Sequence, residues 1–320
     1  MLNRGLLPPL ADLAARLRTA PALTAKADLS LVRALVGAGP DAGDDAAVVE
    51  HDGALLVICA EAIHPALLAA DPFAAGAAAV NANVADVRAM GGRPLALVDT
   101  LVSPDRDHAA RVLDGLRWAA GLLGVRVAGG HLTLGAPPAL SAACTGTVRA
   151  PLRAAAARPG DALLAAFCLR GRLRPGPVPI FTSLRDRDPV LLREDGEALV
   201  EVAERGLCHA ARDVSMPGVA GSLLQLLELA RCGATLDLDR LPRPDGVPVE
   251  TWLETFPSFG FVLGAPPDRV EEARAAFRRR GLDCEACGSF DDSHVLRIAS
   301  GGATATVWDL GARALTGLGG

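Results

Sequence analysis

The stretch NVADVRAMGGRPLALVD, residues 83–99, contains the end of one predicted helix and most of the strand that follows it. The helix, at about 73–90, starts after Pro72, because proline is favoured in the first helical turn, and it continues through an Ala-rich run. Gly91 and Gly92 end it. The apolar run RPLALVDTLV (93–102) then predicts a buried strand. A helix that leads directly into a buried strand indicates mixed α and β structure.

The same alternation extends in both directions from this stretch. Upstream, residues 46–49 and 54–60 are predicted to form a hairpin around residues 51–53. Downstream, the segment Ser103-Pro104-Asp105 is expected to cap a helix that runs to about Leu123. Further strands are predicted at 125–130, where the strand ends in glycines, and at 139–148, 161–168, 258–264 and 294–299, and further helices at 11–20, 193–207, 219–232 and 267–280. We therefore expect an α/β (α+β) fold of two domains.

The composition excludes several classes of protein. The net charge is −5, aromatic residues make up 3%, and no basic stripe follows the chain, so we expect no nucleic-acid partner. The mean hydropathy is +0.29, yet no run of about 18 apolar residues lacks a charge or a breaker, so we expect no membrane span and a cytoplasmic protein. The seven cysteines lie in apolar segments. The single CxxC of Cys284 and Cys287 has no second pair for a zinc site, so it is expected in the core.

The helix at 73–90 carries two polar stripes on an otherwise Ala/Val surface. At roughly 100° per residue, Asn83 and Asp86 lie about 60° apart on one face. Asn81 and Arg88 lie together on nearly the opposite face. Either stripe could face water, but a buried carboxylate needs a partner, and a cation is the obvious one.

Other acids interrupt the apolar segments near this helix. Asp44 and Asp45 precede the hairpin, and Glu61 ends it. Carboxylate and amide oxygens of this kind are the hard ligands that Mg²⁺ prefers. Two such charges repel by about 4 kcal/mol at 4 Å with an effective dielectric constant near 20. If these acids converge, the cluster is stable only when cations neutralise it.

Two glycine-rich runs suit a phosphate-binding interpretation. GAGPDAGDD (37–45), which includes Gly43, and VAGGH (127–131), which includes Gly129 and Gly130, can both bring bare backbone N–H groups to an anion. The chain has no GxxxxGK[ST] sequence, which excludes a P-loop protein. Each run alone is weak evidence.

Four segments together resemble a known family. They are GDDAAVV, NVADVRAMGGRPLALVD, VAGGH and ARDVSMPGVAGSLLQLLE (211–228), in this order. In them the chain resembles the PurM-like, or AIR synthase-related, ATP-binding superfamily, over about residues 37–316. The resemblance implies an N-terminal helical arm (1–36), an ATP- and Mg²⁺-binding and dimerisation domain (37–150) and a C-terminal domain (158–316). It also implies that the N-terminal sheets of a homodimer form a shared barrel.

The resemblance also implies roles for single residues. The metal ligands would be Asp44, Asp45, Glu61 and Asp86, with Gly43, Asn83, Gly129 and Gly130 at the nucleotide. Asp86, Asp213 and His131 would act in catalysis. His131 stands where some relatives have Asp, and it binds a phosphate or is a hydrogen-bonded loop residue. Asp213 acts at the substrate or is a helix N-terminal acid. Lys26, the only lysine, is a candidate to reach the γ-phosphate from a mobile arm, and His64 contacts substrate or is a loop residue.

The motifs do not select one branch of this superfamily. A selenophosphate synthetase carries a reactive Cys or selenocysteine in its N-terminal segment, and residues 1–40 contain no Cys. A thiamine-monophosphate kinase has Asp where this chain has His131. The resemblance therefore implies a Mg²⁺- and ATP-dependent phosphotransferase or synthetase for a small acceptor, in an uncharacterised branch. The alternatives are a non-catalytic nucleotide-binding partner in a larger complex and an activity like one of those two enzymes. The acceptor is expected to contact the second domain and residues 170–190.

Overall fold

The computed structural model describes residues 8–37, 39, 41–174 and 179–319. Residues 1–7 of the predicted arm, Ala38 and Pro40 of the first glycine run, and 175–178 of the segment 170–190 lie outside the described residues. None of the described helices is both long enough and apolar enough to cross a membrane.

Helices and strands alternate along the described chain. The α-helices are α1 (Leu10–Thr19), α2 (Pro21–Thr24), α3 (Ser30–Val36), α4 (Pro65–Ala70), α5 (Pro72–Ala89), α6 (Arg106–Leu123), α7 (Pro189–Asp195), α8 (Glu197–Glu204), α9 (Gly218–Ala230), α10 (Val249–Trp252) and α11 (Val270–Arg278). The strands are β1 (Ala47–His51), β2 (Ala54–Ala62), β3 (Arg93–Ser103), β4 (Arg126–Leu134), β5 (Ala139–Val148), β6 (Ala162–Phe167), β7 (Arg172–Arg174), β8 (Ile180–Thr182), β9 (Ala210–Asp213), β10 (Gly233–Asp237), β11 (Phe256–Pro257), β12 (Gly260–Ala265), β13 (Asp283–Asp291), β14 (Val295–Ser300) and β15 (Ala303–Asp309). Short 3-10 turns lie at Ala25–Leu29, Ala154–Ala156 and Pro267–Arg269.

The first half of the chain forms a five-stranded sheet in the order β1-β2-β5-β3-β4. All neighbours are antiparallel except β3 and β4, which run parallel and are connected by α6. Side chains alternate between the faces of a strand, so Val57, Cys59 and Leu97 pack under α5 and α6. The other face is open, and Val49, Ile58 and Val98 are 42%, 46% and 46% exposed on it.

Helix α5 is buried on nearly every side, because it packs against the sheet, against α6 and against β9 and α8 of the second half. The close approach of α5 and α6 depends on two glycines. A Cβ on Gly76 would lie 1.9 Å from the carbonyl oxygen of Val112, and a Cβ on Gly115 would lie 1.9 Å from that of Phe73. The Ala-rich sequence of α5 therefore serves a crowded position between two layers.

The second half forms a seven-stranded sheet in the order β15-β14-β10-β13-β6-β12-β9, covered on both faces. Helices α1 and α9 pack on one face with Trp252, and α8 and α11 pack on the other with Phe277. A small sheet in the order β11-β8-β7 stands beside it. Cys284 and Cys287 are fully buried on β13, as predicted.

The structure corrects three predictions of secondary structure. Strand β4 does not end at its glycines: Gly129, Gly130 and His131 continue the strand and pair with β3, so they do not form a loop. The predicted helix 193–207 is two helices that meet at Gly196. Strand β15, at a position where no element was predicted, pairs with β14.

The glycine contact between α5 and α6 gives a stability prediction. We expect Gly115→Ala to destabilise the protein by about 1–3 kcal/mol, because the new methyl group overpacks the contact with Phe73. Gly121→Ala, on the same helix with no atom within 4 Å of its Cβ position, should be neutral or stabilising. Chemical denaturation of both variants measures the difference, and equal midpoints would contradict this account of the packing.

Candidate functional site

A cavity of about 310 Å³ lies where the two halves meet. Its walls come from the turn before β1, the end of β2, the middle of α5, the end of β9 and the N-terminal 3-10 turn. Among the described residues, the charged side chains that line it are five carboxylates and two cations: Asp44, Asp45, Glu61, Asp86, Asp213, Lys26 and Arg212. We call this space the carboxylate cavity. The lining carries a formal excess of negative charge.

The turn at residues 41–46 places the paired acids. Gly43 has φ +96°, a conformation that favours glycine, and it lets Asp44 and Asp45 point in different directions. Asp44 accepts a hydrogen bond from the backbone N–H of Ala154 at 2.8 Å. Asp45 accepts one from the N–H of Asp213 at 2.9 Å, so the first half is bound to the end of β9.

Three carboxylates converge at the centre of the cavity. Oxygens of Asp45, Asp86 and Asp213 lie within 4.8 Å of one another. Asp86 is 5% exposed, and within the described chain its Oδ2 has no hydrogen-bond partner. An orphaned buried carboxylate oxygen beside two other carboxylates suits a hard divalent cation such as Mg²⁺. The three residues therefore fit Mg²⁺ chemically, but the group differs from the predicted ligands: it contains Asp45 and Asp86, lacks Asp44 and Glu61, and includes Asp213.

Burial raises the pKa values of these acids. For Asp86 and Asp213 the pKa is raised well above the usual range, first by burial and then by neighbouring acids. Burial also raises the pKa values of Asp45 and Glu61. For Asp44 it raises the pKa from 3.8 to about 6. The ionised cluster is therefore costly without a cation.

Two cations offset part of this charge. Arg212, next to Asp213 on β9, lies 3.2 Å from Asp45 and donates to the carbonyl oxygen of Gly43 at 2.7 Å. Burial, and then the charge of Arg212, lower the pKa of Lys26. The sequence pointed to Lys26 as a candidate, but it missed Arg212. The available signal was a charged residue inside the short apolar strand that ends at Asp213.

Other predicted site residues lie elsewhere in the chain. Asn83 is fully buried, and its amide donates to the carbonyl oxygen of Ala79, so it does not line the cavity. His131 pairs in register with Thr100, and both side chains are on the open face of the sheet. Glu61 follows the buried Val57 and Cys59 at alternate positions of β2, so its side chain is on the opposite face, toward the helices. Gly129 and Gly130 are in the same edge strand. The structure does not bring these three β4 residues to the carboxylates of their own chain.

His64 both caps helix α4 and lines the carboxylate cavity. Its Nδ1 accepts a hydrogen bond from the N–H of Ala66 at the start of α4. The same residue lines the carboxylate cavity.

Comparisons with known proteins identify the family of this chain. Residues 43–148 match the model of the AIR synthase related protein N-terminal domain, and residues 180–300 match that of the C-terminal domain. An uncharacterised protein of Synechocystis sp. is 36% identical over 276 residues, which cover 86% of each chain. The chain belongs to the AIR synthase-related family. The family is part of the PurM-like superfamily that the sequence resembled.

Two further comparisons place this AIR synthase-related protein among its relatives. The selenide, water dikinase of Aeromonas salmonicida is 30% identical over 290 residues, or 82% of this chain and 81% of the relative. The structure of T. maritima PurL complexed with ATP has the same fold, with a TM-score of 0.70 and 23% identity. That match covers 86% of this chain and 46% of PurL, so the chain spans about half of the PurL protein.

The raised pKa values predict an unusual dependence of stability on pH. Asp44 has a higher pKa in the folded than in the unfolded state, so its contribution to stability is complete below pH 3.8 and is lost as the pH rises through about 6. The pKa values of Asp86 and Asp213 are also raised, so stability continues to fall at higher pH. In EDTA, the melting temperature of Asp44→Asn should therefore fall less between about pH 4 and pH 6 than that of the wild type.

Mg²⁺ should reverse most of this loss, because it stabilises the ionised carboxylates. Asp52→Asn, on an exposed turn, is the control and should follow the wild type. Identical pH profiles in EDTA and in MgCl₂ would contradict the prediction.

Proposed function

We propose that this protein transfers a phosphoryl group from ATP to a small-molecule acceptor, with Mg²⁺ as the metal, and that the regions 37–150 and 158–316 act as its two domains. One observation carries the proposal: the carboxylates of Asp45, Asp86 and Asp213 converge within 4.8 Å in a cavity that also holds Lys26. Phosphoryl transfer depends mainly on positioning and on neutralising charge, and it needs no protein nucleophile. The site supplies metal ligands and two cations, which is what such a reaction requires.

Each part of the site has a role in this proposal. Asp45, Asp86 and Asp213 would hold the metal, because their oxygens converge. Asp44 and Glu61 line the same cavity outside this group and would add negative charge for a further cation. A bound Mg²⁺ would neutralise charge that develops on the phosphates. The ammonium of Lys26 faces the same space and stabilises a phosphate, and Arg212 fixes Asp45 and the turn at Gly43. Gly43, which has no side chain of its own, lines the cavity.

Relatives support the nucleotide and the type of reaction. A PurL structure of the same fold was determined in complex with ATP, and a relative of 30% identity is a dikinase. Neither identifies the acceptor of this chain.

We also propose that the protein is a homodimer, joined through the open face of the five-stranded sheet. Val49, Ile58 and Val98 expose a large apolar area on that face. His131, Gly129 and Gly130 lie at its edge, on β4. In a dimer these residues would contribute to the carboxylate cavity of the partner. This would explain why they do not line the carboxylate cavity of their own chain.

Mg-ATP binding tests the proposed function first. At a concentration of 100 Kd, Mg-ATP should stabilise the wild type by about 2.7 kcal/mol. Asp86→Asn should abolish this stabilisation, because it removes a central ligand, whereas Asp114→Asn on the surface of α6 should retain it. Thermal unfolding with and without Mg-ATP measures both variants.

Turnover tests the reaction. We expect Lys26→Ala to lower ATP turnover with pools of small metabolites by about 10²-fold, because a cation at the transferred group is lost. Undiminished turnover would remove Lys26 from the mechanism. Tight Mg-ATP binding without turnover for any pool would favour the nucleotide-binding partner instead, and no Mg-ATP stabilisation at all would contradict the proposal.

The open face predicts the oligomeric state. Ile58→Asp and Val98→Asp should convert a dimer to monomers, because two carboxylates would be buried opposite each other across the interface. Leu113→Asp, at an exposed apolar position on α6, should leave the dimer intact. Light scattering after size-exclusion chromatography measures the mass of each variant in solution. A monomeric wild type would contradict the proposal.

A further inference from the structure

A second cavity, of about 300 Å³, adjoins the carboxylate cavity. Ala78, Ile180 and Phe256 line both spaces and form the wall between them. The second cavity lies between the first half of α5 and the small sheet of β7, β8 and β11. We call it the arginine cavity, after Arg172, Arg174 and Arg185 in its lining.

The charge of the arginine cavity is opposite to that of its neighbour. Arg172, Arg174 and Arg185 line it, and Asp71 is the one carboxylate among its described lining residues. Arg174 donates to Asp71 at 2.6 Å, and Arg172 pairs with Asp186, which lies outside the lining. The lining therefore has a formal excess of positive charge, which favours an anionic occupant.

Arg185 is held in place without an acidic partner. Its guanidinium lies 4.6 Å from the ring centroid of Trp118 and 5.3 Å from that of Phe73. Within the described ranges, no carboxylate forms an ion pair with it. A guanidinium that lies over aromatic rings keeps its edge donors available, and these match a carboxylate or a phosphate in a bidentate contact.

Asn81 adds a polar group directed at the same space. It lines the cavity, it is 7% exposed, and in the part of the chain that the structure describes its carboxamide has no hydrogen-bond partner. A carboxamide that borders a cavity can both donate to and accept from a ligand there. One residue of each polar stripe of α5 thus lines a cavity: Asp86 lines the carboxylate cavity and Asn81 the arginine cavity.

We propose that the arginine cavity binds the phosphoryl acceptor, and that this acceptor is a small molecule with a planar apolar part and a carboxylate or phosphate group. Arg185 binds the anionic group, Trp118 and Phe256 contact the planar part, and Asn81 hydrogen-bonds to it. The inference rests on the proposed function, because the acceptor's reacting group has to extend past Ala78 and Ile180 into the carboxylate cavity. It assigns a role to the described residues 172–174 and 180–185 and to the small sheet.

Three simple probes test this site in the intact protein: phenyl phosphate, benzoate and phenol. Calorimetry measures the affinity, and the fluorescence of Trp118 localises the binding, because Trp252 and Trp308 are buried in the second half. We expect phenyl phosphate or benzoate to bind saturably and phenol to bind at least tenfold more weakly. The stronger of the two anions identifies the group that the acceptor carries. The proposal would be overturned if phenol bound as tightly as the anions, or if neither anion showed saturable binding.

Variants of one residue supply the decisive comparison. Arg185→Met should weaken binding of the anionic probe about tenfold or more, and Arg185→Lys should restore part of it. Arg117→Met, at an exposed position on α6 outside the lining, is the matched control and should bind normally. Trp118→Phe should remove the fluorescence change while calorimetry still detects binding. Equal affinities of the Arg185 and Arg117 variants would overturn the assignment.

Mg-ATP binding in the same variants separates this inference from the proposed function. Arg185→Met should bind Mg-ATP like the wild type. A loss of Mg-ATP affinity in that variant would make the arginine cavity part of the nucleotide site and overturn the acceptor assignment, with the proposed function intact. If the wild type does not bind Mg-ATP, the proposed function is contradicted, whether or not the aromatic anions bind.

Discussion

Unpaired negative charge at the junction of the two halves is the constraint on which the rest of this structure depends. Asp45, Asp86 and Asp213 come from a turn, a helix and a strand that are far apart in the sequence, and their oxygens lie within 4.8 Å. The N–H of Asp213 and the guanidinium of Arg212 offset part of the charge of Asp45. The Oδ2 atom of Asp86 has no such partner among the described residues. Folding therefore brings together oxygen ligands of the kind that a divalent cation prefers.

Local patterns in the sequence predicted the framework of this site. The Ala-rich run after Pro72 is helix α5, and the apolar run after it is β3, since proline, glycine and hydrophobic periodicity act over a few residues. The spacing of Asn83 and Asp86 predicted one polar face. The structure separates the two, because the amide of Asn83 bonds within its own helix and only Asp86 lines the cavity.

Features that depend on tertiary pairing were not predictable in this way. The glycines of VAGGH are typical of a loop, but pairing with β3 keeps Gly129 and Gly130 in a strand. The arginine cavity combines residues from α5, α6 and the segment 172–185, which no local motif connects. Arginine was also a poor signal by itself, because nearly every basic residue of the chain is Arg. A stacked guanidinium such as that of Arg185 is recognisable only once Trp118 and Phe73 are placed beside it.

The burial of α5 has a consequence for which positions tolerate substitution. The helix is about 27 Å long at 1.5 Å per residue, and its sides contribute to both cavities. Gly76 lies against the backbone of α6, so larger side chains there would push the two helices apart. Arg172, Arg174 and Arg185 are exposed, so no close contact between helices restricts the size of these side chains. Substitution of these arginines would therefore change the charge of the arginine cavity while leaving the packing of α5 between the two halves intact.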